Sequence, residues 1–271
     1  MPDYRLVDAD KLDSDLTNIA DKIREKTGGS DTYTIEEMPS GVDAAFEAGV
    51  KSEYDRFWDN YQQNGERTNY DYAFAGLRWT DETFLPKYNV KPTSAGHIFS
   101  ATAITNLPLM LKKTGVEIDF SNLVSASYIA QNSKFITHFP ICDMRKMARL
   151  DHLFFGCDKL QSIEKIILKD DGSQTFSQYS FYELPKLEEL FFEGVIGKSG
   201  IALQASVKLS KASITNIIQH LSTTTNGLSI TLSNNAVNNA FETSTGAADG
   251  STSADWLALV ATKSNWTISL V

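Results

Sequence analysis

Catalysis and metal binding need particular side chains at particular spacings, and the four histidines are the first to weigh. His97, His138, His152 and His220 lie far apart and form neither an HxH nor an HExxH pair, the spacings that bring two imidazoles onto one metal. His97 and His152 precede matching positions of a repeated apolar pattern, which favours a structural part in the repeat. The stretch "GVIGKSG" approaches a phosphate-cradling loop, but its leading glycine would fall at position 192, which is Phe192. There is no GxSxG elbow and no GxGxxG fingerprint. Carboxylates are plentiful, yet nothing in the sequence marks a catalytic pair. "KDDGS" at Lys169 to Ser173 reads as a turn rather than a calcium loop. Cys142 and Cys157 belong to no CxxC and sit among apolar residues, which points to buried free thiols. No catalytic residue, metal ligand or cofactor is expected.

The residues best suited to bind a ligand are aromatic. Between Tyr54 and Tyr88 stand Phe57, Trp58, Tyr61, Tyr70, Tyr72, Phe74, Trp79 and Phe84, beside the amides Asn60, Gln62, Asn64 and Asn69. Two readings stay open. The rings form an N-terminal cap on the rest of the chain, or some of them face solvent and stack on sugar rings while the amides bind hydroxyls. On the second reading the ligand-binding residues are Trp58, Tyr61, Tyr70 and Trp79.

An internal repeat is the element that would position them. In "LFFGCDKLQSI", Phe154, Cys157, Leu160 and Ile163 are each three residues apart. The same template falls on Ala130, Ser133, Ile136 and Phe139 upstream and on Phe181, Leu184, Leu187 and Leu190 downstream. A shortened copy runs from Phe99 to Ile104 and Leu107, and Phe74 begins one more. A spacing of three fits neither an alternating strand nor a helix of 3.6-residue period. It fits a chain that turns a corner every few residues, and only stacked turns can bury such a ridge. "IEKIIL" and "EELFFEGV" read as strands within the stack.

The ends of the chain read differently. Ser210 or Ser213 starts a helix through Ile214, Ile217, Ile218 and Leu221; "GLSITL" is a strand. "NNAVNNAF" and "ADWLALVAT" are helices joined by a Ser/Thr/Gly/Ala loop, and "NWTISLV" is a last strand. At the other end Leu16, Ile19, Ala20 and Ile23 lie at helical spacing behind the caps Asp13 and Ser14, and Gly28 and Gly29 stop the helix. A helix of roughly four turns is marginal alone, so this opening reads as an attachment module. The expected organisation is a helical module over 1–62, a repeat array over 63–198 and an α/β cap over 199–271.

Composition sets the outer bounds. The chain has 271 residues, 42% of them hydrophobic, with a net charge of −9. Residues 1–60 hold 7 Lys+Arg against 15 Asp+Glu, so the acid is concentrated in the opening and a nucleic-acid partner is disfavoured. No apolar run approaches the length of a membrane span, and the first residues lack the basic start and apolar stretch of a signal peptide.

The F-x-x-C-x-x-L-x-x-I pattern of Phe154 to Ile163 resembles the BspA-type leucine-rich repeats of bacterial surface and phage proteins. The opening "DLTNIADKIREKTGGS…MPSGV" resembles a short module of tail and minor structural proteins in phages and prophages of gut Firmicutes. The copies here are degenerate, since Ala130 and Ser133 replace the family's Phe and Cys. The resemblance implies an α/β, leucine-rich-repeat-like solenoid made in the bacterial cytoplasm and placed on a virion tail or cell surface. It implies a non-enzymatic role in structure or recognition, with a glycan, a cell-surface protein or other tail proteins as partners. A glycan-active enzyme using carboxylates near the aromatic block is the competing expectation.

Overall fold

The computed structural model describes residues 21, 22, 25, 68–76, 89–241 and 253–271. The chain divides into two compact units, Met1–Glu66 and Arg67–Val271. In the first, Asp21, Lys22 and Glu25 are helical, as the spacing of apolar residues predicts. Lys22 Nζ lies 3.3 Å from Glu25 Oε2 on an exposed face.

The second unit is a mixed α/β structure with several small parallel sheets. Its construction begins at two backbone corners. Tyr72, His97, Tyr128 and His152 have φ between 51° and 62°, in the left-handed region. Four residues further on, Gly76, Ala101, Asn132 and Gly156 adopt it again. Between the corners each turn pairs with the next through main-chain bonds. Phe74 N–H donates to Ile98 O, Phe99 N–H to Ile129 O, Ala130 N–H to Leu153 O, and Phe154 N–H to Ser180 O. Each bond joins equivalent positions of consecutive turns, so backbone groups that a lone turn would leave unpaired are satisfied by its neighbour.

After the corners come short strands. β1 (His138–Phe139), β4 (Ser162–Ile167) and β6 (Glu189–Glu193) lie parallel, with Phe139, Ile163 and Leu190 in register. β2 (Cys142–Asp143) pairs with the far end of β4, beyond a register shift between Ile163 and Ile166. β3 (Arg149–Leu150) and β5 (Thr175–Phe176) form a second parallel pair. Isolated bridges Asn69–Ser94–Ser125 and Asn106–His138 carry the same stacking toward the N-terminal side.

The three-residue template faces inward throughout. Phe154, Cys157, Leu160, Ile163, Leu184, Leu187 and Leu190 are fully buried, as are Phe74, Phe99, Ile104 and Leu107. The small polar member of the template has a specific task. Cys157 Sγ donates to Ala130 O at 2.8 Å, and Ser133 Oγ donates to Phe99 O, the equivalent carbonyl one turn earlier. Ser therefore replaces Cys without loss of the inter-turn bond, since both are small and carry one donor.

α1 (Leu107–Thr114) was not among the expected elements, although its signals are all present. Asn106 accepts from Leu109 N–H at 3.0 Å, Pro108 occupies the first turn, Lys112 and Lys113 the last, and Gly115 closes it at φ 67°. An additional turn after α1 buries Phe120, Leu123 and Ala126, again three apart.

At the C-terminal end the expected elements all form: α2 (Lys211–His220), β8 (Leu228–Leu232), α3 (Asn234–Phe241), α4 (Ala254–Ala261) and β9 (Trp266–Leu270). β7 (Ala202–Leu203), β8 and β9 make a three-stranded parallel sheet, not the two strands expected. Ser210 caps α2 by accepting from Ser213 N–H at 3.2 Å. Lys263, only 7% exposed, donates to Gln219 O and Leu221 O at the other end of α2. A buried ammonium facing the carbonyl end of a helix satisfies orphan acceptors and the helix dipole together. The loop over 242–252 lies outside the described residues. Among the described residues, no helix is long and apolar enough to cross a membrane.

Candidate functional site

The first corner of each turn carries a ring, on left-handed backbone at Tyr72, His97, Tyr128 and His152 but not at Tyr179, and the rings form a ladder. Tyr72 stacks on His97 at 4.6 Å between centroids, His97 on Tyr128 at 4.7 Å, Tyr128 on His152 at 4.7 Å and His152 on Tyr179 at 5.0 Å. Interplanar angles of 9°, 9°, 29° and 22° keep the rings near parallel. The spacing matches the separation of paired backbones, so one ring per turn at one corner suffices to build the row. Phe155 and Tyr182 extend it sideways, meeting at 6.0 Å.

Tyr72 is 64% and Tyr179 37% exposed, and the three rings between them are half-buried. Stacking covers ring faces within the row, so the row offers solvent its edges: phenol hydroxyls and imidazole nitrogens.

Hydrogen bonds fix the imidazole tautomers. Ser100 Oγ gives its only proton to Tyr128 O at 2.9 Å, so His97 Nδ1, 3.1 Å from that oxygen, must be the donor to it. Nε2 of His97 is left as an acceptor. His152 Nδ1 is buried without a partner, which favours the tautomer with the proton on Nε2. Burial pushes the His97 imidazole below its ordinary value; Asp71 pulls the other way with a smaller effect. The Asp71 carboxylate is itself held by Ser94 Oγ at 2.7 Å and Gly96 N–H at 2.6 Å.

A cleft of about 490 Å³ opens beside the lower rungs, lined by Ser127, Tyr128, Arg149, Asp151, His152 and Thr175 among others. Arg149 is paired with Asp151 at 3.1 Å. Among the described residues lining it, Phe176 included, the cleft mixes polar and apolar groups and has no uncompensated positive charge.

The sequence-based ligand residues fall elsewhere. Trp58, Tyr61 and Trp79 lie outside the described residues. Tyr70 is 5% exposed and packs against Phe74 at 6.5 Å, so its ring belongs to the interior of the stack. The ladder was partly visible in sequence. Each rung stands two residues before the first template position of its turn, as the two histidines already indicated.

Catalytic groups would show displaced titration. Among the described residues the carboxyls with a clear shift are Asp119, Asp143 and Asp171, and all three are lowered. A general acid at neutral pH needs the reverse. Both cysteines are free and buried, and burial pushes the Cys157 thiol up to about 12, far from nucleophile range. No cluster of three or more His, Cys, Asp or Glu suited to a metal ion occurs among the described residues.

Compared with known proteins, the chain matches no family model, no curated protein and no solved structure.

Proposed function

We propose that the chain is a non-enzymatic recognition or structural protein of a phage tail or bacterial surface, built on a degenerate leucine-rich-repeat-like solenoid. The observation that carries this reading is the ladder from Tyr72 to Tyr179, five rings presented in line at one corner of successive turns. Interior packing does not explain the exposure of its ends. Stacked turns form a stiff scaffold, and aromatic groups at a nearly fixed interval suit an extended or repetitive ligand better than a small metabolite. The helical module over 1–62 then serves attachment, and several copies on one particle would convert weak single-site binding into avidity.

The test is to incubate the purified chain with bacterial cell-wall fragments and a glycan array, measuring retention and released products together. Retention without release of reducing ends is the expected result. Time-dependent release would assign the chain to the enzyme class instead.

A further inference from the structure

We propose that the outward ladder is a rail for a linear, uncharged, equatorially linked glycan lying along the stack, one sugar unit to each rung; this rests on the recognition reading above.

Four observations lead there. The first is the interval. The rungs are 4.6, 4.7, 4.7 and 5.0 Å apart, about the advance of one pyranose in a stretched, equatorially linked chain. An extended peptide advances roughly 3.3 Å per residue, so neither one residue nor two match a single rung interval.

The second is alternation. The order Tyr, His, Tyr, His, Tyr sets a long phenol beside a shorter imidazole at every step, giving crests at Tyr72, Tyr128 and Tyr179 and notches at His97 and His152. Successive rings of an equatorially linked glycan are flipped by about half a turn, so their bulky substituents fall on the same side at every second unit. A two-rung period in the protein meets a two-unit period in the ligand.

The third is the chemistry of the edges. With ring faces occupied by stacking, recognition falls to hydrogen bonds from the rims. The phenols donate and accept, His97 Nε2 accepts and His152 Nε2 donates. Sugar hydroxyls, which do both, satisfy all of these. Ser127 and Thr175 extend the same capability into the adjoining cleft.

The fourth is charge. Asp71 lies beside His97, and Arg149 is neutralised by Asp151 at 3.1 Å. A phosphodiester backbone or sulfated glycan would meet carboxylates, with no unpaired cation among the described residues of the cleft to receive it.

The experiment is calorimetric titration of the full chain with β-1,4-linked N-acetylglucosamine oligomers from dimer to hexamer, with maltohexaose as the helical, axially linked comparison. Affinity should climb with length and level off near five units, the number of rungs, and maltohexaose should bind at least tenfold more weakly than the hexamer. Tyr128→Phe and Tyr179→Phe keep the rings and the stack but remove the hydroxyls, and each should weaken hexamer binding roughly three- to tenfold with unchanged melting. Equal affinity for dimer and hexamer, equal affinity for maltohexaose, or an unaffected double variant would overturn the rail. If none of these glycans binds while a surface protein does, the rail fails and the recognition reading stands. If the hexamer is cleaved, both fail.

Discussion

Cys157 Sγ donates to the carbonyl oxygen of Ala130 at 2.8 Å, across the gap between two successive turns. The thiol is an inter-turn fastener sealed from solvent, which accounts both for its place in the template and for its lack of reactivity. Burial raises its pKa to about 12, and desolvation raises that of Cys142 as well. Ellman's reagent at pH 8 should therefore leave the native chain unmodified and label both cysteines once denaturant is added. Rapid labelling of the native protein would show that these turns open.

Replacement at the same position should follow size and donor capacity. Cys157→Ser should remain within about 1 kcal/mol of the parent, because Ser133 already makes the equivalent bond to Phe99 O. Cys157→Leu should lose roughly 1–3 kcal/mol through overpacking. Urea unfolding midpoints at constant m-value distinguish the two.

Glycines of the second unit divide by their surroundings. At Gly194, φ is 84° and an added Cβ would sit 2.3 Å from Leu168 O, a backbone atom that cannot swing aside. At Gly76, φ is 66° and an added Cβ would meet no atom of the described residues within 4 Å. Gly76→Ala should cost about 1–2 kcal/mol from the left-handed backbone alone, and Gly194→Ala clearly more. Equal melting temperatures for the two variants would contradict the close approach at Gly194.

Lys263 joins the last segment to α2 by donating to Gln219 O and Leu221 O, and Asn265 and Trp266 donate to Ser222 O beside it. Lys263→Met keeps most of the stem and removes the donor, leaving carbonyls at the helix end unpaired. A loss of about 1–3 kcal/mol is expected in thermal or urea unfolding.

Acid sensitivity has a local source in Asp143. Hydrogen bonds from the Arg145 side chain, chiefly, hold its carboxyl below the ordinary 3.8 despite partial burial. A carboxyl with a depressed folded-state pKa adds stability above its unfolded value and loses it as pH falls through the folded one. Asp143→Asn should therefore flatten the acid limb of the stability curve below about pH 4 and leave the remainder of its shape unchanged.

Much of the fold was legible because the three-residue template has one physical meaning: Phe154, Cys157, Leu160 and Ile163 can share an interior only if the chain turns between them. The elements of the C-terminal end were legible for the opposite reason, since their helices and strands keep ordinary periods. α1 escaped because a template reading of Leu107 absorbed its first residue, even with Asn106, Pro108 and Gly115 marking a helix around it. The turn through Phe120, Leu123 and Ala126 escaped because its neighbours are unequally spaced in sequence.

The ladder was the harder feature. Its five members are separated by unequal lengths of chain, and only the stacking of turns brings Tyr128 between His97 and His152. Composition pointed to the aromatic block near the N-terminus, which holds one rung, Tyr72, while its neighbour Tyr70 turns out to be interior. Counting aromatics finds rings, whereas deciding which of them face outward requires the backbone corner.

Recognition on the ladder is the proposal from which the others take their meaning. It is measured most simply by a nuclear magnetic resonance titration of the full chain, with labelled tyrosine and histidine rings, against the β-1,4-linked N-acetylglucosamine hexamer. Progressive, saturable shifts of Tyr72, His97, Tyr128, His152 and Tyr179 are predicted, with His138 and His220 unmoved. Saturable shifts confined to rings away from this row, or none at any ring, would contradict it.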